Sequence, residues 1–241
     1  DPGLTFGTGA HPSTQMVMEV MENVVKPGFH CLDLGSGSGA VSLLAAKNRA
    51  FSKITALELQ THSFSLLCEN ITDNGFEGRI EPLLCDVRRA KLRPGEEAAD
   101  VVFCNPPYLA AQSGFARRHT ESEIARREIE GGIADFCACA ARLLRSGGYF
   151  YACFLPARLT DLLFAMRQNC IEPKRLTLVY PTEAHRPSLV LAEGKKDAAP
   201  SLYVTKPLLM QQRGEDGQLR DTPQLAYIYR EGAFLQEYEK P

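Results

Sequence analysis

FHCLDLGSGSGAVSLLAAKNR, residues 29–49, decides the fold. Residues 29–34 read as a short apolar strand, 35–39 as a glycine-rich turn, and 39–49 as a helix. Glycines let a backbone turn tightly and bring its N–H groups against a ligand without Cβ interference. The positive end of the following helix favours a carboxylate or phosphate there.

Outward from this unit the pattern repeats. Upstream, residues 14–25 place Val17, Val20, Met21, Val24 and Val25 on one helical stripe, ended by Lys26-Pro27-Gly28. Downstream, strands are predicted at 53–59, 80–86, 100–104 and 149–155, with helices at 61–73, 132–145 and 158–169. Further strands are expected at 174–180 and 188–192. Gly194 to Pro200 reads as a polar turn, and 201–209 with 224–230 as an antiparallel extension. Strands alternating with helices imply an α/β, Rossmann-like, doubly wound and mostly parallel sheet with antiparallel C-terminal strands. No internal linker is long enough to divide the chain. It is read as a single domain over 1–241: an N-terminal segment and helix (1–28), a core (29–194) and a C-terminal extension (195–241).

Hydrophobic residues make up 44% of the 241 positions, enough for a sizeable core. No apolar run approaches the ~18 residues that would span a bilayer, and no leader segment is read. The eight cysteines mostly lie inside apolar runs, and none forms a C-x-x-C pair, so no metal site is expected. They read as buried, reduced thiols of a cytoplasmic protein. The net charge of −2 mildly opposes nucleic-acid binding at whole-chain level. Local basic clusters occur at Arg117-Arg118, Arg126-Arg127, Arg142 with Arg145, and Lys174-Arg175.

Ligands of such sheets bind outside the carboxyl ends of the strands, where strand order reverses. The glycine turn also fits the G-x-G-x-x-G/A dinucleotide fingerprint with Ala40 last, so glycines alone do not separate a nicotinamide cofactor from S-adenosylmethionine. Acidic strand ends help. Asp33 would face a ligand's ammonium, Glu58 would accept from both ribose hydroxyls, and Asp86 would accept from an adenine amino group. Three acidic ends suit a cation-bearing nucleoside and suit pyrophosphate poorly. The cofactor set read here is Asp33, Leu34, Gly35, Ser36, Gly37, Gly39, Glu58, Leu59, Asp86, Val87 and Asn105.

The fourth strand ends in Asn105-Pro106-Pro107-Tyr108, read as the catalytic motif. Two prolines make a stiff turn with Asn105 extended before them. The Asn105 side-chain carbonyl and the Pro106 backbone carbonyl can each accept one hydrogen of an NH₂ group. That aims the nitrogen lone pair at an electrophilic methyl, while Tyr108 stacks on the acceptor ring.

Asp33-Leu-Gly-Ser-Gly-Ser-Gly39 with Asn105-Pro-Pro-Tyr108 resembles the class I amino-methyltransferases, which use S-adenosylmethionine on adenine N6, cytosine N4 or glutamine N5. FCNPPYLAAQSG (103–114), IARREIEGGIADFCACAARLLRSGGYF (124–150) and EPKRLTLVYP (172–181) resemble the bacterial tRNA1(Val) adenine-N6 methyltransferases. The late SLYVTKPLLM and QLAYIY segments extend the likeness. That resemblance implies a tRNA substrate and methylation of the adenine just 3′ of the anticodon, adenine 37. The opening DPGLTFGTGAHPST is similar to ribosomal protein L11 methyltransferases. It implies that Phe6, Gly7, Thr8 and Gly9 cover the cofactor and that His11 is a structural loop residue. Those protein methyltransferases do not carry NPPY.

The loop after Tyr108 brings Gln112, Ser113, Gly114, Arg117, Arg118 and His119, with Arg126 and Arg127 soon after. Tyr108 and these four arginines are the expected substrate contacts, the arginines on RNA phosphates. Three alternatives stand beside this reading. They are a glutamine-N5 protein methyltransferase, a nicotinamide oxidoreductase that leaves NPPY idle, and a SAM- or RNA-binding protein without catalysis.

Overall fold

A computed structural model of the chain describes residues 26–47, 51–106, 131–214 and 216–231. The predicted helix 14–25, the Phe6–Gly9 segment, His11, Pro107, Tyr108 and the four arginines Arg117, Arg118, Arg126 and Arg127 lie outside the described residues.

In chain order the elements are β1 (Phe29–Leu34), α1 (Ala40–Lys47), β2 (Phe51–Glu58), α2 (Thr61–Asp73), β3 (Ile80–Leu84), β4 (Ala99–Cys104), α3 (Ile133–Leu143) and β5 (Leu144–Phe154). There follow α4 (Leu159–Gln168), β6 (Ile171–Tyr180), β7 (Leu189–Lys196), β8 (Tyr203–Val204), β9 (Leu208–Leu209), β10 (Gln211–Arg213), β11 (Leu219–Asp221) and α5 (Pro223–Glu231). The main sheet has the order β3-β2-β1-β4-β5-β7-β6-β8, with β9 also on β6. Within it β7 runs antiparallel to both β5 and β6, and the other pairs are parallel. The α/β class and the mostly parallel, doubly wound sheet are as expected.

Alternation sends each strand's side chains to two cores. Cys31, Ile54, Val101 and Phe103 join residues of α1 and α2 on one face. Leu32, Leu34, Val102 and Cys104 join α3 and α4 on the other. In β4, Ala99, Val101, Val102, Phe103 and Cys104 are all buried, as an interior parallel strand requires.

The register positions the site. Leu34 pairs with Leu57 of β2 on one side and with Cys104 of β4 on the other. The next residues along are Gly35, Glu58 and Asn105. They therefore leave three adjacent strands at one level, at ~4.8 Å per strand. Strand order reverses there, because β1 connects to β2 on one side while β4 lies on the other.

Several expectations are corrected. Residues 224–230 do not form a strand. Pro223 opens α5 with its φ preset for a helix, and Thr222 Oγ1 accepts from the Leu225 N–H at 3.2 Å. Residues 203–204 and 208–209 instead pair parallel with β6, and the late antiparallel hairpin is β10 with β11. Gly194 is no turn. It lies inside β7 opposite Phe150 and Pro173, where a Cβ would come within 2.4 Å of Met166 Cε. The helix before Gly147 ends earlier than expected, because Leu144 is already extended and pairs with Ala99. Lys196 caps that helix end by donating to the carbonyls of Ala141 and Leu144, the latter at 2.7 Å. β6 starts at Ile171 and absorbs Pro173 at an irregularity in its pairing.

All eight cysteines are free, and Cys31, Cys104, Cys137, Cys139 and Cys153 are buried. Burial pushes Cys137 and Cys139 up to about 12, which leaves them as unreactive thiols. Cys170 is exposed.

Candidate cofactor and acceptor site

The glycine turn is tied to the end of β2. The N–H groups of Gly35 and Ser36 both donate to the Leu57 carbonyl at 2.9 Å. Gly35, Gly37 and Gly39 have φ of 72°, 57° and 88°, a region L side chains rarely adopt. At Gly39 a Cβ would also fall 2.4 Å from Leu67 Cδ1, inside the core between α1 and α2. Gly39→Ala is expected to cost about 2–4 kcal/mol in urea unfolding, combining backbone strain with overpacking.

Glu58 is 7% exposed, and three backbone amides hold its carboxylate. Oε2 accepts from Gly37 N–H at 2.8 Å. Oε1 accepts from Leu59 N–H at 2.9 Å and Gln60 N–H at 2.7 Å. One residue thus locks the glycine turn to the start of α2. Oε2 keeps a lone pair for a further donor.

Asp33, 3% exposed, lies under the turn, and its Oδ2 accepts from Ser42 Oγ at 2.7 Å. Burial pushes its carboxyl up to about 6, against the lowering bonds from the Ser42 side chain and N–H, and the Glu58 charge pushes the same way. The folded state therefore binds a proton more tightly than the unfolded chain, whose Asp33 titrates near 3.8. Stability is highest with Asp33 protonated and falls as pH rises from about 4 to about 6, by a few kcal/mol. Asp33→Asn has no such ionisation. Urea unfolding of both proteins at pH 4 and pH 7 should show the wild type losing ground to the variant. Parallel pH curves would refute that assignment.

A cleft of about 240 Å³ opens at this level. It is lined by Gly35 and Gly37 of the turn, by Leu57 to Gln60 and Ser63 from the β2–α2 junction, by Cys85 and Val87 after β3, by Asn105, and by Phe136 of α3. Of the residues expected at a cofactor, Gly35, Gly37, Glu58, Leu59, Val87 and Asn105 meet here. Leu34, 0% exposed, is behind it in the core. Ser36 is buried in the turn, with its hydroxyl unpaired among the described residues. Asp86 is not among the lining residues, and its carboxylate is engaged by Arg88. Arg88 grips it at 2.5–3.0 Å through Nη2 and Nε, and the Arg88 N–H adds a further bond. Those bonds hold the Asp86 carboxyl below the usual carboxylate range.

Sequence reasoning missed Gln60, Ser63, Cys85 and Phe136. Phe136 falls in the apolar stripe of α3 and reads as core. It reaches the cleft because Gly35 has no Cβ, which would sit 3.1 Å from the Phe136 ring.

Among the described lining residues Glu58 is the one charged group. A carboxylate there attracts hydroxyls and an ammonium or sulfonium, so the described lining fits S-adenosylmethionine. The basic pairs also sort themselves. Arg145 is bound to Asp100 at 2.6 Å and Arg175 to Glu193 at 2.6 Å. Lys174 donates to Ala199 and Ser201. These groups are committed within the fold.

Residues 1–110 match the family model of the ribosomal protein L11 methyltransferase, PrmA. The L11 methyltransferase of Geobacillus thermodenitrificans is 33% identical over 150 residues, 62% of this chain and 39% of that protein. That of Exiguobacterium sp. is 41% identical over 75 residues, 31% of this chain and 24% of that protein. The chain thus spans well under half the length of these curated relatives. A predicted O-methyltransferase of Agrobacterium tumefaciens superposes with a TM-score of 0.70 at 22% identity, covering 92% of this chain and 97% of that one. The M. jannaschii TYW2 in complex with AdoMet gives 0.53 at 16% identity, covering 80% and 78%. The fold is that of the class I SAM-dependent methyltransferases, and no helix among the described residues is long and apolar enough to cross a membrane.

Proposed function

We propose that this chain transfers a methyl group from S-adenosylmethionine to the exocyclic N6 of an adenine in tRNA, adenine 37 of tRNA1(Val). The supporting observation is the place of Asn105. It leaves β4 beside the glycine turn, lines the same cleft as Glu58, and opens Asn105-Pro106-Pro107-Tyr108.

S-adenosylmethionine supplies a methyl carbon activated by an adjacent sulfonium. Glu58 would accept from one of the cofactor's ribose hydroxyls through its remaining lone pair, and buried Asp33 would set the negative field for its ammonium. An amino nitrogen on an aromatic ring is a poor nucleophile, because its lone pair is delocalised. The Asn105 side-chain carbonyl and the Pro106 carbonyl draw its two hydrogens aside and aim the lone pair at the methyl carbon. As the N–C bond forms, the S–C bond breaks and its electron pair stays on sulfur. The methylated nitrogen then releases one proton to solvent. Neutral Asn105 suffices, since orientation and fixed dipoles supply the catalysis.

The L11 methyltransferase match over residues 1–110 favours a second reading, a protein amide or amine as acceptor. NPPY serves a glutamine N5 equally well. A pair of tRNA1(Val) transcripts separates these. The transcript with adenine 37 should accept labelled methyl, and the one with guanine there should not. Equal labelling of both would remove adenine 37, and labelling of neither would favour the protein acceptor.

A further inference from the structure

We infer that Arg142 is a positioning residue for the cofactor, holding the wall of the cleft that follows β3. This rests on the reading of the cleft as the SAM site. Arg142 lies on α3 and is exposed, and its guanidinium reaches across to the segment after β3. Its Nη2 donates to the Val87 carbonyl at 2.7 Å and its Nε to the Ala90 carbonyl at 3.3 Å.

The segment it grips starts from Cys85, whose N–H donates to the Glu58 carbonyl at 2.8 Å. Asp86 O accepts from the N–H groups of Arg89 and Ala90, forming a turn. Val87 and Ala90 are both 5% exposed, and Val87 lines the cleft. Six residues earlier on α3, ~9 Å along its axis, Phe136 lines the same cleft and packs under Gly35. One helix thus sets the separation of two walls. Phe136 meets the glycine turn, and Arg142 fixes the β3 exit. The guanidinium does this with two donors, Nη2 and Nε, held in one planar fork, a fixed geometry that an ammonium lacks.

The test uses the full chain with Arg142→Met, which keeps an unbranched stem without the charge, and Arg142→Lys. S-adenosylhomocysteine affinity is read by calorimetry, and the KM for the RNA acceptor separately. Arg142→Met should weaken S-adenosylhomocysteine about tenfold, with Arg142→Lys between it and the wild type, while the acceptor KM stays within about twofold. A merely structural residue would move both together, and that outcome overturns the inference, as does unchanged affinity in both variants. If Arg142→Met does not fold, the intermediate affinity of Arg142→Lys still decides. A wild type that binds no S-adenosylhomocysteine overturns the reading of the cleft, and this inference with it.

Discussion

Asn105→Ala should lower methyl transfer by about 10²–10⁴-fold while S-adenosylhomocysteine affinity stays within about threefold. The asymmetry follows from position. Asn105 leaves β4 one residue past the Leu34–Cys104 pairing, borders the cofactor cleft, and opens the Asn105-Pro106-Pro107-Tyr108 motif read as gripping the acceptor. Its amide would grip the amino hydrogens most strongly as the nitrogen turns pyramidal, so the loss falls on kcat. Single-turnover transfer and calorimetry on the same preparations check both halves. A variant that loses binding and turnover equally would assign Asn105 to the cofactor instead.

Glu58→Ala should abolish measurable cofactor binding, weakening it by about 10²–10⁴-fold, and cost about 2–4 kcal/mol of stability. The carboxylate serves two purposes at once. It holds the N–H groups of Gly37, Leu59 and Gln60, and truncation leaves all three without that acceptor. It is also the single anion among the described lining residues, so truncation removes the attraction for a cationic nucleoside. Glu58→Gln should fall between, because one oxygen is replaced by a donor that faces an N–H group. Calorimetry and urea unfolding read the two effects separately. Binding that survives Glu58→Ala would place the ribose elsewhere.

The centre of the fold is legible because each strand there announces its end. Gly35, Glu58 and Asn105 are each the first special residue after an apolar run, and parallel register brings them to one level. The partners of the acidic groups are less legible. Ser42 reaches Asp33 from the far side of the glycine turn, and Arg88 takes Asp86 through a local bend. Arginine pairs mislead for a related reason. Arg142 and Arg175 look like solvated or phosphate-binding groups in one dimension, yet Arg142 binds backbone carbonyls after β3 and buried Arg175 binds Glu193. At the C-terminal end, QLAYIYR carries strand-prone tyrosines and isoleucine. The start signal at Thr222-Pro223 and the burial of Leu225 override them.

The most direct test is the partition of label from methyl-labelled S-adenosylmethionine between unmodified tRNA and ribosomal protein offered together, followed by nucleoside and amino-acid analysis. The account predicts label in tRNA, recovered as N6-methyladenosine. Label confined to protein, recovered as methylated glutamine or lysine, would contradict it.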